Sequence, residues 1–290
     1  MPITVSSGAR VVQSVAELRA ALDEPRRRGV AVALVPTMGF LHEGHLRLVD
    51  EARGRAAFVV LSIFVNPLQF APHEDFAKYP RNVENDVRLA SARGVDLIFA
   101  PAASDMYHGV LAASVVPASL ADRWEGAVRP GHFSGVLTVV TKLFNLVQPQ
   151  VAIFGQKDIQ QATLVRAMAR DLDFPIEIVI APTVREVDGL ALSSRNGYLT
   201  GDDRRRALVL SRALHAVADA FAAGERDATV LETLAYDVLS DESSVSVDYF
   251  ALVDPERLEP VAIAGPGTVV MVAARVGATR LIDNVILGAT

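Results

Sequence analysis

Cysteine is absent from this chain of 290 residues, which excludes disulfide bonds and catalysis by a thiolate. Lysine is scarce, and the net charge of −6 argues against non-specific binding to nucleic acid, which requires a basic surface. No apolar run reaches the roughly 18 residues of a membrane span. Residues 1–10 lack the basic and apolar segments of a secretory signal. These absences are typical of a globular protein of the cytoplasm that binds neither nucleic acid nor a membrane.

Apolar runs and amphipathic stretches alternate over the first 180 or so residues, which predicts a parallel sheet with helices on both faces. Strands are expected at 30–36, 58–65, 96–100, 151–154 and 176–181. Helices are expected at 14–28, 44–54, 82–93, 134–147 and 157–172. The fold class of this part is therefore α/β.

The pattern changes after residue 182, where we place a domain boundary. A strand, a turn at Asp188-Gly189 and a return strand are expected over 183–200, followed by helices at 202–223 and 227–239. Strand-like alternation at 245–253, 269–276 and 280–286 predicts a small antiparallel sheet. The prediction is thus a larger domain at 1–183 and a smaller α+β domain at 184–290.

Polar or glycine-rich clusters follow four of the predicted strands, at the sheet edge where ligands of α/β proteins bind. The first cluster, 36–45, carries His42 and His45 between a strand and a helix. Residues three apart share a helix face, and a helix N-terminus favours a bound anion, so the pair indicates phosphate chemistry. A metal pair and a purely structural turn remain alternatives, although His73, His108, His132 and His215 form no ligand-spaced cluster with it.

Two further clusters offer cations and hydroxyls. Gly155 permits a tight turn, Lys157 is a compact cation for a phosphate, and Asp158 caps a helix or binds a ribose hydroxyl. The loop at 191–196 holds two serines beside Arg195, a combination that suits a triphosphate. A plain helix cap with a surface lysine and an ordinary serine-rich turn are the structural alternatives.

The remaining cluster, 64–70, offers neutral amides between apolar side chains. Asn66 and Gln69 flank Pro67, and Gln161 in a later helix could reach the same pocket. Such a pocket suits a small molecule with hydroxyl and carboxylate groups better than a phosphate. Satisfied buried amides are the alternative.

In this order, the clusters resemble the pantothenate synthetase (pantoate–β-alanine ligase) family within the HIGH-motif nucleotidyltransferases. The resemblance rests on PTMGFLHEGH at 36–45, SIFVNPLQF at 62–70, YPR at 79–81, RPGHFSGVLTVV at 129–140, FGQKDIQQ at 154–161 and PTVREVDGLALSSRN at 182–196. VDYFALVD at 247–254 and TRLIDN at 279–284 also look family-like. The chain departs from the family at Gln156, where glutamate is usual, and at Leu192, where methionine is common.

The resemblance implies a Rossmann-like domain that binds ATP and pantoate, a C-terminal domain that covers the active site and carries the SSR loop, and a homodimer. It implies ATP-dependent condensation of (R)-pantoate with β-alanine to pantothenate, AMP and pyrophosphate through pantoyl adenylate, in coenzyme A biosynthesis. Runner-up interpretations are another nucleotidyltransferase of the same superfamily and a non-catalytic nucleotide-binding module.

The resemblance also implies roles for individual residues. The groups expected to act in catalysis are His42, His45, Lys157, Ser193, Ser194 and Arg195. The residues expected to bind ATP are Met38, Gly39, Phe40, Leu41, His42, Glu43, Gly44, His45, Gly155, Gln156, Lys157, Asp158, Val184, Leu192, Ser193, Ser194 and Arg195. Asn66, Gln69 and Gln161 are expected to bind pantoate or β-alanine. Mg²⁺ is expected on the phosphates, helped by Asp86.

Overall fold

The computed structural model describes residues 8–72 and 74–289. His73 and most of the segment considered for a secretory signal lie outside the described residues.

The chain forms two compact units. The first comprises Met1–Gly155 and Leu164–Ala181, and the second comprises Gln156–Thr163 and Pro182–Thr290. Among the described residues, no helix has the length and apolar character needed to cross a membrane.

The first unit contains a six-stranded sheet in which every pair of neighbours is parallel. Its strands are β1 (Arg10–Val12), β2 (Val32–Thr37), β3 (Phe58–Ile63), β4 (Leu97–Phe99), β5 (Val151–Gly155) and β6 (Glu177–Ala181). The central strands β2 and β3 are buried along almost their whole length, as their continuous apolar sequences predict. The predicted parallel sheet is confirmed. Strand β1 was not predicted, because three residues at the sheet edge give no periodic signal.

Helices connect these strands. They are α1 (Val15–Arg27), α2 (Glu43–Arg53), α3 (Val83–Ala92), α4 (Ala103–Met106), α5 (Glu125–Val128), α6 (His132–Val147) and α7 (Ile159–Asp171). Helix α1 begins with a capping box formed by Ser14 and Glu17. Helix α6 begins two residues before the predicted start, after Gly131 in the left-handed conformation. The short helices α4 and α5 were not predicted.

The strand order is β1-β4-β3-β2-β5-β6. The chain leaves β2 towards β3 on one side and later returns to β5 on the other side, so the order reverses between β2 and β5. Ligands bind in the crevice outside the carboxyl ends of the strands at such a reversal. The loop 38–42, which follows β2, therefore starts at the preferred ligand position of the first unit.

The second unit contains helices α8 (Gly201–Ala222) and α9 (Ala228–Leu239) and an antiparallel sheet of β7 (Val245–Val253), β8 (Val269–Val276) and β9 (Thr279–Ile286). These helices and strands share one apolar core. The three strands and two helices are confirmed close to their predicted bounds.

The strands predicted over 183–200 are wrong in extent. A single bridge joins Arg185 and Ala191 around a turn at Gly189, which has a φ of 94°. The return strand stops because Ser193 caps a 3-10 helix over Ser194–Tyr198, its hydroxyl accepting a hydrogen bond from the Arg195 N–H at 3.2 Å.

Candidate active site

The loop after β2 is fixed by hydrogen bonds to the strand beside it. The Thr37 hydroxyl donates to the Ser62 carbonyl at 2.7 Å and accepts from the Gly39 N–H at 3.1 Å. Gly39 follows with a φ of 84° and Phe40 with a φ of 52°. The chain thus turns sharply as it leaves the sheet, and Gly39 supplies a backbone conformation that is costly for other residues.

Asp86 of α3 holds the same loop from the other side. Its carboxylate is buried and accepts the backbone N–H groups of Phe40 at 2.8 Å and Leu41 at 2.7 Å. Burial raises the pKa of Asp86, although the two hydrogen bonds act in the opposite direction. The metal role expected for Asp86 stays a prediction. In the structure, Asp86 stabilises the loop after β2 through these two hydrogen bonds, and this role requires no metal.

Replacing Gly39 by alanine is expected to destabilise the protein more than the same change at Gly109. The two glycines have φ values of 84° and 83°, so the left-handed backbone costs each variant about 1–2 kcal/mol. A Cβ at Gly39 would lie 2.9 Å from both Asp86 Oδ2 and Ile63 Cγ2, whereas one at Gly109 meets nothing within 4 Å. Crowding adds about 1–3 kcal/mol at Gly39 alone. Urea unfolding of both variants measures this, and equal losses would contradict it.

His42 and His45 form a reciprocal cap at the start of α2. His42 Nδ1 accepts the Gly44 N–H at 3.2 Å, and His45 Nδ1 accepts the His42 N–H at 3.3 Å. The ring centroids are 4.1 Å apart. Because each Nδ1 accepts a hydrogen bond, the ring hydrogen of the neutral imidazole lies on Nε2 in both. The pair therefore places two ring N–H groups at a helix N-terminus, a position that favours an anion.

The metal alternative for these histidines gains no support. Within residues 8–72 and 74–289, no group of three histidine, aspartate or glutamate side chains is arranged to hold a metal ion. The neighbouring Glu43 is engaged elsewhere, since its carboxylate pairs with Arg93 on the outer side of α2. Phe40 is exposed and Leu41 is buried, so the expected ATP loop presents its side chains in different directions.

Asn66 lies at the centre of the amide pocket and makes four hydrogen bonds. Its Nδ2 donates to the Gly135 carbonyl and to Gln69 Oε1, each at 3.1 Å. Its Oδ1 accepts from the Leu68 N–H at 3.2 Å and from the Tyr107 hydroxyl at 2.7 Å. The Gly135 carbonyl only accepts and the Leu68 N–H only donates, so these two partners fix the orientation of the Asn66 amide.

That orientation determines how Gln69 presents its own amide. Asn66 Nδ2 requires an acceptor, so Gln69 turns its oxygen inwards and directs its Nε2 donors to the other side. There Nε2 lies 3.2 Å from the Met38 sulfur. The amide pocket therefore adjoins the loop after β2, and Gln69 offers it N–H groups that suit a carboxylate or hydroxyl oxygen.

Arg129 and His132, which precede and begin α6, complete this pocket and were not among the predicted site residues. Arg129 binds the Glu74 carboxylate at 2.6 and 2.9 Å and donates to His132 Nε2 at 3.1 Å. His132 Nδ1 is 2.8 Å from the Gln69 carbonyl, to which the neutral ring donates. Burial acts to raise the pKa of Glu74, but the hydrogen bond and charge of Arg129 lower it overall. The RPGHFSG motif was the available signal for both residues.

His132 makes the stability of the protein depend on pH. Burial, followed by the charge of Arg129, lowers the pKa of His132 from 6.5 to about 4. The unfolded chain therefore binds more protons between these values, so the stability contribution is complete above pH 6.5 and is lost as pH falls towards 4. On acidification from pH 7 to pH 5, His132 should lower the unfolding free energy of the wild type by about 2 kcal/mol. His132→Gln lacks this titrating group, so its unfolding free energy should fall by about 2 kcal/mol less over the same pH range. Urea unfolding at both values tests this against His108→Gln, an exposed position; an unchanged pH dependence would contradict it.

In the second unit, Lys157 lies on a 3-10 turn of Gln156–Asp158 that a buried asparagine holds. Asn284 Nδ2 donates to the carbonyls of Gln156 at 2.9 Å and Lys157 at 3.0 Å. Gln156 Nε2 in turn donates to Asn284 Oδ1 at 3.1 Å. The side chain of Lys157 is half-buried and that of Asp158 is exposed. Gln161 is half-buried in the first turn of α7.

The loop that carries Ser193, Ser194 and Arg195 also belongs to the second unit. The Leu192 N–H donates to the Val184 carbonyl at 2.9 Å, which brings these two expected adenosine contacts together. Asn196 Nδ2 donates to the Glu186 carboxylate at 2.9 Å and to the Ala191 carbonyl at 3.1 Å. Hydrogen bonds within the loop thus define the backbone on either side of the SSR segment.

A model of the pantoate-beta-alanine ligase family matches residues 10–286 of this sequence. The chain belongs to this family. The resemblance predicted from the motifs is thereby confirmed, and this pantoate–β-alanine ligase is an enzyme rather than a non-catalytic binding module. A different nucleotidyltransferase of the superfamily is likewise set aside.

Known relatives match this ligase over nearly their full length. A pantothenate synthetase of Moorella thermoacetica is 51% identical over 277 residues, which cover 96% of this chain and 98% of the relative. That of Acidobacterium capsulatum is 52% identical over 293 residues, covering 97% and 98%.

Solved structures match the fold as well. The crystal structure of pantothenate synthetase from Thermus thermophilus has a TM-score of 0.91 at 50% identity, covering 96% of this chain and 99% of that one. A pantoate-beta-alanine ligase from Francisella tularensis, complexed with beta-gamma ATP and beta-alanine, has a TM-score of 0.81 at 30% identity, covering 97% and 99%. The predicted Rossmann-like sheet with a smaller C-terminal domain is confirmed.

Proposed function

We propose that the ligase condenses pantoate with β-alanine in two half-reactions. A carboxylate oxygen of pantoate attacks the α-phosphorus of ATP, the bond to the bridging oxygen breaks, and pyrophosphate leaves. The amine of β-alanine then attacks the acyl carbon of pantoyl adenylate, AMP departs with the electron pair of the broken bond, and the amine loses a proton. Neither step requires a covalent protein nucleophile, in keeping with a chain that has no cysteine.

One contact in the first unit gives the main support for placing pantoate beside the ATP loop. Gln69 Nε2 lies 3.2 Å from the sulfur of Met38, which begins the loop leading to His42 and His45. A pantoate carboxylate oxygen that accepts from Gln69 would therefore lie beside the loop expected to bind ATP. Holding a nucleophile next to its phosphorus centre is a large part of the acceleration available to such an enzyme.

His45 and His42 are the proposed donors to the phosphates, with His45 nearer the α-phosphate. Their Nε2–H groups add to the positive end of the α2 dipole, at whose first turn both histidines lie. These donors stabilise the charge that develops on the phosphate oxygens as the bond to pyrophosphate breaks. The backbone of Met38 and Gly39 lines the adenosine in this proposal.

Residues of the second unit neutralise the leaving pyrophosphate. We assign this task to Lys157, Ser193, Ser194 and Arg195, which supply two cations and two hydroxyl groups. Val184 and Leu192 line the adenosine, together with Gly155 of β5, and Asp158 binds the ribose. A Cβ on Gly155 would meet nothing within 4 Å, so the protein itself does not require glycine there and a bound nucleotide supplies a reason. Gln161 assists Gln69 with pantoate.

Magnesium reaches the site on the triphosphate in this proposal. The described residues provide no cluster of three acidic or histidine ligands, which fits a cation that keeps most of its water and binds through substrate phosphates. Asp86 uses both carboxylate oxygens on the loop after β2. Coordination of Mg²⁺ by Asp86 is the less favoured of its two roles, because the hydrogen bonds to the loop already account for the burial of its carboxylate.

We also propose that the enzyme is a homodimer. The first unit has an open cavity of about 680 Å³, lined by Leu68, Tyr107, Val110 and Leu111 among others. Val110, which lines this cavity, is 99% exposed, and Val116 in the same chain segment is 72% exposed, so this segment leaves large apolar side chains in solvent. A second copy would cover them. Light scattering of the purified enzyme measures the mass, and a monomer at micromolar concentration would contradict the dimer.

Gln69→Ala tests the proposed substrate pocket. Loss of the Nε2 donors should raise the KM for pantoate at least about 10-fold, because one hydrogen bond to a charged group contributes about 1.5–3 kcal/mol. The Kd for ATP should change little, since no role with ATP is assigned to Gln69. Steady-state kinetics and ATP titration measure both constants, with the exposed Gln13→Ala as the control. A loss confined to ATP affinity would overturn the pocket assignment.

A further inference from the structure

Two neighbouring side chains of β9 bind two different segments of the second unit. Successive residues of a strand point to opposite faces, so Asp283 and Asn284 leave the sheet in different directions. Asp283 is 4% exposed and Asn284 is 1% exposed. The apolar core does not account for these two buried side chains, because burying a polar group costs free energy unless it is hydrogen-bonded. Their hydrogen-bond partners therefore explain why they are buried.

Asn284 fixes the turn that carries Lys157. The carbonyls of Gln156 and Lys157 only accept, so the Asn284 amide must direct its nitrogen towards them. Its oxygen then faces Gln156, whose Nε2 donates to it. The Asn284 side chain is thereby held at both ends, and it sets the backbone position from which the Lys157 ammonium extends.

Asp283 fixes the hairpin that leads to the SSR loop. Its two carboxylate oxygens bind the Arg185 guanidinium at 2.6 and 3.0 Å. Arg185 also donates to the Gly189 carbonyl at 3.0 Å and forms the single bridge of the hairpin with Ala191. This bidentate contact fixes both the position and the orientation of the Arg185 guanidinium relative to β9.

We propose that Asp283 and Asn284 are positioning residues that hold the Lys157 turn and the SSR hairpin in fixed register on strand β9. This inference rests on the proposed function, in which Lys157 and residues 193–195 bind the triphosphate. The two residues touch no substrate themselves. They act by setting the distance between two segments whose charges must meet one pyrophosphate, and a displacement of about 1 Å at such a site costs up to about 100-fold in rate.

Asp283→Asn and Asn284→Asp test the proposal. The first removes the charge that orients Arg185, and the second places a carboxylate against two carbonyl oxygens. Each should lower kcat for pantoate-dependent pyrophosphate release about 10- to 100-fold, with the KM for pantoate within about twofold of wild type because Gln69 is unaffected. Asn284→Ser, which keeps a small donor, serves if Asn284→Asp does not fold.

The matched control is Asp248→Asn. Asp248 accepts from Arg280 at 2.6 Å, and Arg280 also lies on β9, so this variant removes a comparable ion pair from the same sheet. Its kcat should stay within about twofold of wild type. Hydrogen exchange should rise at 156–158 and 185–195 in the Asp283 and Asn284 variants but not in the control.

Assays are run at a temperature where circular dichroism shows every variant to be folded. If the Asp283 and Asn284 variants keep a wild-type kcat, or if the control loses as much as they do, the positioning role is overturned. Absence of pyrophosphate release from the wild type would instead refute the proposed function, so the two failures are distinguishable.

Discussion

Replacing His45 by alanine is expected to slow pantoyl adenylate formation about 100- to 1000-fold, the usual cost of losing a donor that stabilises developing charge. Its Nδ1 accepts the His42 N–H, so the neutral ring carries its hydrogen on Nε2, and we assign this Nε2–H to the substrate. Because this donor acts on the charge that grows as pyrophosphate leaves, kcat should fall far more than the affinity for ATP. Single-turnover pyrophosphate release with ATP and pantoate measures the step.

Alanine at this position also removes half of the cap of α2, which costs about 1 kcal/mol of stability. His45→Asn separates the two effects, because its amide oxygen can replace Nδ1 while nothing replaces Nε2. We expect the asparagine variant to regain stability but not rate. His108→Ala, at an exposed histidine, is the control. Near-normal adenylate formation in either His45 variant would remove this side chain from the mechanism.

Lys157→Met is expected to have an effect of similar size. The change keeps the apolar stem and removes the ammonium that we assign to the pyrophosphate. Asn284 holds this turn through the backbone carbonyl of Lys157 rather than through its side chain, so the turn itself should persist. A loss of about 100- to 1000-fold in adenylate formation would therefore report the charge alone.

The matched control for Lys157 is Lys78→Met, because Lys78 is exposed and has no assigned role. Lys157→Arg provides a second comparison, since it keeps the charge but replaces a compact ammonium with a planar fork. We expect partial activity from the arginine variant. Adenylate formation by Lys157→Met within tenfold of wild type would exclude the ammonium from charge stabilisation.

Elements with a strong local signal could be predicted from the sequence. The run 30–36 is apolar at nearly every position because β2 is buried on both faces, and the observed strand is Val32–Thr37. The helix after it was expected at 44–54 and is observed at Glu43–Arg53, where His42 provides the cap. Strand β1 escaped prediction because a three-residue edge strand is specified by its pairing with β4 rather than by its own pattern.

The site residues named from the motifs stay predictions, and the orientations of their side chains could not be predicted from the sequence. The orientation of the Gln69 amide depends on Asn66, and that of Asn66 depends on the Gly135 carbonyl, which lies in a distant helix. The contacts of Asp86 with the loop after β2 likewise join distant segments. Contacts of this kind arise from tertiary packing, and no local periodicity or spacing encodes them.

Pyrophosphate release with ATP and Mg²⁺, first without acceptor, then with pantoate and finally with β-alanine, tests the central proposal most directly. We expect release to require pantoate and not β-alanine, with AMP and pantothenate formed in equal amounts once β-alanine is added. Folded enzyme that binds ATP but releases no pyrophosphate with pantoate, or that releases it only after β-alanine is added, would contradict the proposed order of steps.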